Sequence, residues 1–340
     1  MTARSTDWGG LEGWLAAHVA GYAGPCRINR FEGGQSNPTF RLDAASGSYV
    51  LRRKPEGTLL PSAHAVEREF RVLKALQGGP VPVAPVHGLC EDATVIGSAF
   101  YLMDFVPGRV VFDQELPGLT KADRGAIYDS MNATIAALHG IDPAAVGLSD
   151  FGRPGHFLER QIARWTKQYQ ASETEPIPEM QHLIAWLSAR TPSQERTCIV
   201  HGDYRLDNLI LHPTEPKVAA VLDWELSTLG DPIADFAYHV MSWRLSPKVF
   251  RGLGDADLAA LGIPQEDAYV RRYCERTGRV SIPDWEFYIV FSMFRIAAII
   301  QGIARRAADG SAASEHASTV GRAARPIAEQ AWALARAIRH

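Results

Sequence analysis

The chain has 340 residues, 46% hydrophobic and 21% charged, with a formal net charge of −3. That length accommodates about two domains or lobes of ~150 residues each, and the slightly acidic balance gives no reason to expect nucleic acid as a partner. Four scattered cysteines, Cys26, Cys90, Cys198 and Cys274, form no C-x-x-C pair and read as reduced thiols of a cytoplasmic protein. Arg4, Asp7 and Glu12 interrupt any apolar run near the start, so no signal peptide is expected. The longest apolar stretch, Phe287 to Ile300, is broken by Arg295 and falls short of the ~20 residues of a membrane span. It reads as a buried core helix, and no membrane partner is expected.

In chain order, Leu11, Leu15, Val19 and Tyr22 recur at helical spacing, with Gly24-Pro25 as the stop. Two strand-like runs, Ile28 to Phe31 and Thr39 to Leu42, flank Gly33-Gly34-Gln35-Ser36. A glycine pair there lets backbone N–H groups approach an anion closely; a hairpin turn with glycine at positive φ is the competing explanation. In Tyr49 to Lys54, alternation places Val50, Arg52 and Lys54 on one strand face and Leu51 on the other. A helix over Ser62 to Leu76 buries Val66, Phe70, Leu73 and Leu76, with Glu69 beside that stripe. Val81 to Val86 is too proline-rich for a central strand and is expected along an edge. Ala99 to Val106 forms a further strand, ending at Pro107-Gly108. Beyond it the pattern turns helical: Ile127, Met131, Ile135 and Leu138, with His139 complementing the helix dipole; then Leu158, Ile162, Trp165 and Tyr169 on a helix carrying Arg160, Arg164 and Lys167; then Met180, Leu183, Ile184 and Leu187. Alanine-rich stretches from 304 to 337 read as helix formers.

The richest stretch is residues 197 to 225. Short apolar runs at Cys198 to Val200, Leu209 to Leu211 and Val218 to Leu222 alternate with polar clusters, a small sheet presenting acids at its ends. Asp203 and Asn208 share one loop, and Asp223 follows the last run. A carboxylate for a hydroxyl, plus an amide and a second carboxylate as hard oxygen ligands, is the set that metal-assisted phosphoryl transfer requires.

His201-Gly202-Asp203, Asn208 and Asp223-Trp224-Glu225, followed by Gly230-Asp231-Pro232 and Asp235, resemble the signature of the aminoglycoside phosphotransferase and choline kinase superfamily. The stretches GGQSNPTFRL, YVLRRKPEG, LLPSAHAVEREF and DWELSTLGDPIADFAYHV resemble its branch found fused to acyl-CoA dehydrogenases. The resemblance spans roughly residues 28 to 300 and implies an α+β, two-lobed, protein-kinase-like fold: a small antiparallel-sheet lobe over residues 1–105 that binds nucleotide, and a mostly helical catalytic lobe over 106–340. It implies that Gly33, Gly34, Gln35 and Ser36 cover the phosphates and that the strand cation, Arg52 or Lys54, holds them. Arg52 stands where lysine is common, and an arginine fork differs in geometry from an ammonium. Glu69 would pair with that cation, Glu67 being the alternative. Backbone at Asp104, Phe105 and Val106 would read the base, with Met103 near its edge; ATP is the default co-substrate and GTP stays open. Asp203 would be the catalytic base, and Asn208 and Asp223 would hold Mg²⁺. His201 would brace the loop, Trp224 pack beneath it, Arg205 and Asp207 face substrate or pair with each other, and Asp231 and Asp235 order nearby backbone.

The expected activity is transfer of the γ-phosphate to the hydroxyl of a small molecule. From residue 226 onward, 14 Lys and Arg stand against 12 Asp and Glu, a balance that disfavours a polycationic acceptor. Together with the resemblance to phosphotransferases fused to acyl-CoA dehydrogenases, it implies a small anionic or acyl-type hydroxyl compound, for which a hydroxyacyl-CoA is a candidate. The alternatives are an aminoglycoside O-phosphotransferase and a catalytically inactive nucleotide-binding regulator. Nothing in the sequence sets the oligomeric state.

Overall fold

The computed structural model describes residues 8–31, 37–55, 65–194, 196–310 and 317–338. The first helix, α1 (Leu11–His18), buries Leu11 and Leu15. It ends at His18, earlier than its apolar spacing suggests: Val19 turns to extended backbone while its side chain stays buried. Then come β1 (Arg27–Arg30), β2 (Thr39–Ala44), β3 (Gly47–Arg53), α2 (Val66–Leu76), β4 (Val86–Cys90) and β5 (Phe100–Asp104). The five strands form one antiparallel sheet in the order β1-β2-β3-β5-β4. The proline run 82–85 leads into the edge strand β4 instead of forming it. Pro82 O accepts from Val221 N at 2.9 Å and Pro85 O from Asp104 N at 2.8 Å, so the prolines contribute acceptors where they have no N–H to donate.

Strand alternation gives this sheet two unlike faces. Leu51 and Leu102, paired in register, pack with Leu11, Leu15, Phe40 and Phe100 into a small outer core. On the opposite face Val50 and Met103, also paired, join Tyr101 and the α2 residues Val66, Val72, Leu73 and Leu76 in a core continuous with the rest of the chain. Val72 takes the buried position expected of Phe70, which is only half-buried. Arg52 and Tyr101 face each other across β3 and β5, on the side that receives α2.

The second part is mostly helical: α3 (Lys121–Gly140), α4 (Phe157–Ser172) and α5 (Pro178–Arg190), then three short strands β6 (Cys198–Val200), β7 (Leu209–Leu211) and β8 (Val218–Val221), with β9 (Thr228–Gly230) beyond. Two-stranded pairs β6–β9 and β7–β8 frame the loop from 201 to 208. Helix α6 (Pro232–Val240) starts with Asp231 as its cap, accepting from Ile233 N at 2.7 Å and Ala234 N at 3.3 Å, with Pro232 in the first turn. Then follow α7 (Leu258–Leu261), α8 (Glu266–Thr277), α9 (Trp285–Ala308), α10 (Ala317–Gly321) and α11 (Ala324–Ala337). The 24-residue α9 passes a membrane-span test by length and composition, yet 83% of its most apolar window is buried within the protein, as a core helix requires.

His239 on α6 lies among Tyr204, Trp243 and Tyr269, with Nε2 2.9 Å from the Tyr269 hydroxyl. Burial pushes its imidazole down to about 3 from 6.5. The unfolded chain therefore binds a proton that the folded chain rejects, so this group's contribution is complete above pH 6.5 and is lost as pH falls toward 3. His239→Gln is expected to flatten the fall of urea-unfolding free energy between pH 6 and pH 4 by up to about 1.4 kcal/mol per pH unit; an unchanged slope refutes this origin.

Candidate active site

Four segments meet at the mouth of the interlobe cleft. On the loop after β6, Asn208 donates its amide to Asp203 Oδ2 at 2.8 Å and to Asp203 O at 2.9 Å. Both amide protons are thus used, which directs the Asn208 Oδ1 lone pairs elsewhere. Leu222 N donates to Asn208 O at 2.8 Å, bringing the end of β8, and with it Asp223, beside the same loop. Asp223 has φ +62°, a left-handed backbone uncommon outside glycine and frequent at functional turns.

Backbone clamps hold the loop. His201 N and Gly202 N each donate to the Asp235 carboxylate at 2.8 Å. His201 Nε2 donates to Leu222 O at 2.8 Å, so Nδ1 is the acceptor for Asp203 N at 3.2 Å. Gly202 has φ +83°, and a Cβ there would lie 2.7 Å from Leu226 O, so no larger residue fits. Trp224 packs its ring against His201, centroids 4.8 Å apart, and donates to Val221 O at 3.0 Å. His139 is buried for a reason other than the helix dipole: its Nε2 meets Asp235 Oδ2 at 3.2 Å and its Nδ1 the Tyr273 hydroxyl at 2.7 Å.

Across the cleft, Arg52 Nε lies 3.0 Å from Glu69 Oε2, while Nη2 lies 2.8 Å from Asp223 Oδ1 and 3.7 Å from Glu225 Oε2. Lys54 pairs instead with Glu67 at 2.8 Å. The two cation candidates thus have separate partners, and the one facing the loop acids is Arg52. Glu69 is 1% exposed and also accepts from Asn37 Nδ2 at 2.8 Å and from the Tyr101 hydroxyl at 3.1 Å. Burial, partly offset by Arg52 and reinforced by Asp223 and Glu225, pushes its carboxyl up to about 7 from 4.5. Against its own burial, Arg52 is held more firmly protonated by Glu69 and Asp223.

Met103 is buried at the end of β5. Asp104 spends its amide on Pro85 O and its carboxylate on His87 Nε2 at 2.7 Å; Phe105 spends its amide on Ser48 O at 3.1 Å and its ring on Arg41. Among the described residues, the Val106 amide has no such partner. Gly33, Gly34, Gln35 and Ser36 lie outside the described residues. Arg205 Nε approaches Asp203 Oδ2 at 3.2 Å and Asp207 Oδ1 at 3.4 Å, and Arg251 also pairs with Asp207. Asn37, Tyr101 and Arg295 were not assigned from sequence. Asn37 stands beside the glycine pair, the one local hint available; Tyr101 and Arg295 sit in apolar runs that conceal them.

Residues 27–273 match the phosphotransferase enzyme family APH. The chain belongs to this family. It is therefore a phosphotransferase with an alcohol group as acceptor, and its small antiparallel sheet and helical lobe form the kinase-like fold of that family. Over 96% of its length it is 49% identical to acyl-CoA dehydrogenase family member 10 of Mus musculus, covering 30% of that protein. It is 40% identical to family member 11 of the same organism, covering 43%, so the chain spans less than half of these relatives. A crystal structure from Ralstonia eutropha JMP134, provisionally named an aminoglycoside phosphotransferase, superposes with a TM-score of 0.91 at 54% identity, covering 99% of this chain and 100% of that one. Aminoglycoside phosphotransferase APH(4)-Ia, in ternary complex with AMP-PNP and hygromycin B, shares the fold with a TM-score of 0.60 at 16% identity, covering 95% of this phosphotransferase and 98% of that chain.

Removing one donor from the buried Glu69 carboxyl leaves an acceptor unsatisfied. Asn37→Ala is expected to lower the phosphotransferase's unfolding free energy by about 1–3 kcal/mol, measured by urea denaturation. A change near zero shows that the contact contributes nothing.

Proposed function

We propose that this phosphotransferase is an ATP-dependent small-molecule kinase whose acceptor is an anionic or acyl-type alcohol, with a hydroxyacyl-CoA as the leading case. The observation carrying this reading is the joining of Asp203, Asn208 and Asp223 in one cluster opposite Arg52. In the proposed step the acceptor hydroxyl, oriented by Asp203 Oδ, passes its proton to that carboxylate as its oxygen bonds to the γ-phosphorus, and the bond from that phosphorus to the bridging oxygen breaks, releasing ADP. The transition state is loose, so the position of Asp203 matters more than its basicity. Arg52, released from Asp223, would grip phosphate oxygens while Glu69 keeps its Nε in place. Val106 N and neighbouring backbone would read the base.

The donors suit Mg²⁺: Asn208 Oδ1, freed by the amide's commitment to Asp203, and the Asp223 carboxylate are hard oxygens. Two protein ligands suffice because magnesium takes its remaining ligands from phosphate and water. When bound, the ion supplies charge neutralisation at the β- and γ-phosphates. Support for ATP comes from the AMP-PNP complex of APH(4)-Ia. Support for an acyl-type acceptor comes from the dehydrogenase names of the relatives. The excess of 14 Lys and Arg over 12 Asp and Glu from residue 226 onward weighs against a polycation such as the hygromycin B bound by APH(4)-Ia.

Asp203→Ala is expected to cut phosphate transfer by about 100-fold or more while Mg·ATP affinity, followed by calorimetry, changes by about twofold at most. Retained transfer, or absence of Mg·ATP binding by the native protein, overturns the reading. A second outcome separates the two cations: Arg52→Met should raise the KM for ATP at least about tenfold, as loss of a charge-assisted contact implies, and Lys54→Met should leave it nearly unchanged. The reverse ranking would move the phosphate-holding role to Lys54.

A further inference from the structure

Helix α9 carries one charged residue through the core. Arg295 is 8% exposed, and it lies one residue from Asp203 because its Nη2 donates to Gly202 O. Its guanidinium rests on the ring of Tyr238 at 4.4 Å and near that of Trp165 at 5.4 Å. Among the described residues no carboxylate pairs with it, and its Nε is buried with no hydrogen-bond partner. A guanidinium cannot escape by losing its proton, and buried charges are ordinarily paired because an unpaired one costs several kcal/mol. One carbonyl and two ring faces offset part of that cost and leave the Nε–H without an acceptor.

A second cation stands beside it. Arg164, on an exposed position of α4, lies 5.2 Å from the centroid of the same Trp165 ring. Partial burial and the like charge of Arg295 both push its guanidinium down, and among the described residues no acid pairs with Arg164 either. Two guanidinium groups flanking one indole, one buried and one at the surface, repel each other unless an anion lies between them. Tyr238, on which Arg295 rests, is buried, and burial first and the Asp203 carboxylate second push its phenol up. Arg295 thus contacts both the carbonyl that precedes Asp203 and a ring beside that residue.

We propose that Arg295 and Arg164 form an anion subsite that holds a carboxylate or phosphate group of the acceptor a few bonds from the hydroxyl presented to Asp203. This rests on the kinase reading and narrows its acceptor to an alcohol carrying its own carboxylate or phosphate near the hydroxyl, such as a free hydroxy acid, in preference to a hydroxyacyl-CoA, whose thioester is uncharged there. Arg295 supplies the inner charge, Arg164 supplies the solvent-side charge, and the Trp165 ring lies against both. A neutral alcohol of the same shape would leave both cations unrelieved.

The test uses matched probes: 3-hydroxybutyrate against butane-1,3-diol, and glycerol 1-phosphate against glycerol. With Mg·ADP saturating, calorimetry on the native chain should show each anionic probe binding at least about tenfold more tightly than its neutral partner, the margin expected of a charge-assisted contact. Preference for only one anionic probe tells carboxylate from phosphate, and either supports the subsite. Arg164→Gln, at an exposed position that leaves the loop's hydrogen bonds intact, should remove most of that margin, and Arg295→Gln should remove it entirely. Equal affinity for charged and neutral probes, or a margin that survives Arg164→Gln, overturns the subsite. A merely structural Arg295 would lower turnover in its variant without altering the charged-to-neutral ratio. Because binding is read without turnover, failure of phosphate transfer would count against the kinase reading and leave the subsite result standing.

Discussion

One buried carboxylate organises the loop that carries Asp203. Asp235, in the first turn of α6, accepts the amides of His201 and Gly202 at 2.8 Å each and faces His139 on α3. Burial alone would push this carboxyl up; the hydrogen bond and charge of His139, with His201, override that and hold it below the usual carboxylate range. As an ionised acceptor it binds amides more strongly than a neutral group would. The Gly202–Asp203 peptide is fixed from its other side as well, because Gly202 O takes the Arg295 guanidinium. With the amides before it and the carbonyl beside it committed, Asp203 inherits its direction from helices α3, α6 and α9. Such preorganisation is what a reaction governed by position requires.

The two lobes are joined by side chains as well as by the chain itself. Arg68 on α2 donates to Phe151 O at 2.8 Å and to Ser227 O at 3.4 Å, and stacks on the Phe151 ring; Arg71 pairs with Asp150. Helix α2 is therefore fastened to the helical lobe at the turns flanking Glu69. Glu69, Asp223 and Glu225 gather around the single cation Arg52, so this side of the cleft carries more negative charge than Arg52 can neutralise. Burial first, and then the neighbouring Asp223 and Glu225 carboxylates, keep the Glu69 carboxyl raised despite Arg52. A cation brought in with the phosphates of a nucleotide would offset that excess.

The sequence made the alternating faces of β3, the three short strands around the loop, and the Asp203, Asn208 and Asp223 set legible, because each is encoded within a few residues: alternation, apolar runs, acids at strand ends. What stayed hidden depends on partners far away in the chain. Asn37 reaches Glu69 across 32 positions and Arg295 reaches Gly202 across 93; neither has a local pattern that names its partner. Within the apolar run of α9, Arg295 reads as an interruption. His139 sits where a dipole-complementing histidine would, and only tertiary packing shows that it faces Asp235. The end of α1 was misplaced for a related reason: Val19 is buried, and burial of an extended residue is indistinguishable in one dimension from continued helical spacing.

The register of β3 against β5 explains why arginine can stand where lysine is common. Arg52 and Lys54 share a strand face, so alternation cannot choose between them. The pairing of Arg52 with Tyr101 places its base over the position where Glu69 is already held by Tyr101 and Asn37, while Lys54 lies beyond the last strand pair and meets Glu67. From that base the guanidinium extends in two directions at once, Nε to Glu69 and Nη2 to Asp223 and Glu225. An ammonium is a single compact charge and would have to favour one partner over the others. The fork lets Arg52 keep its Nε on Glu69 while its outer nitrogen exchanges one oxygen partner for another, so the strand cation can change ligands without losing its anchor.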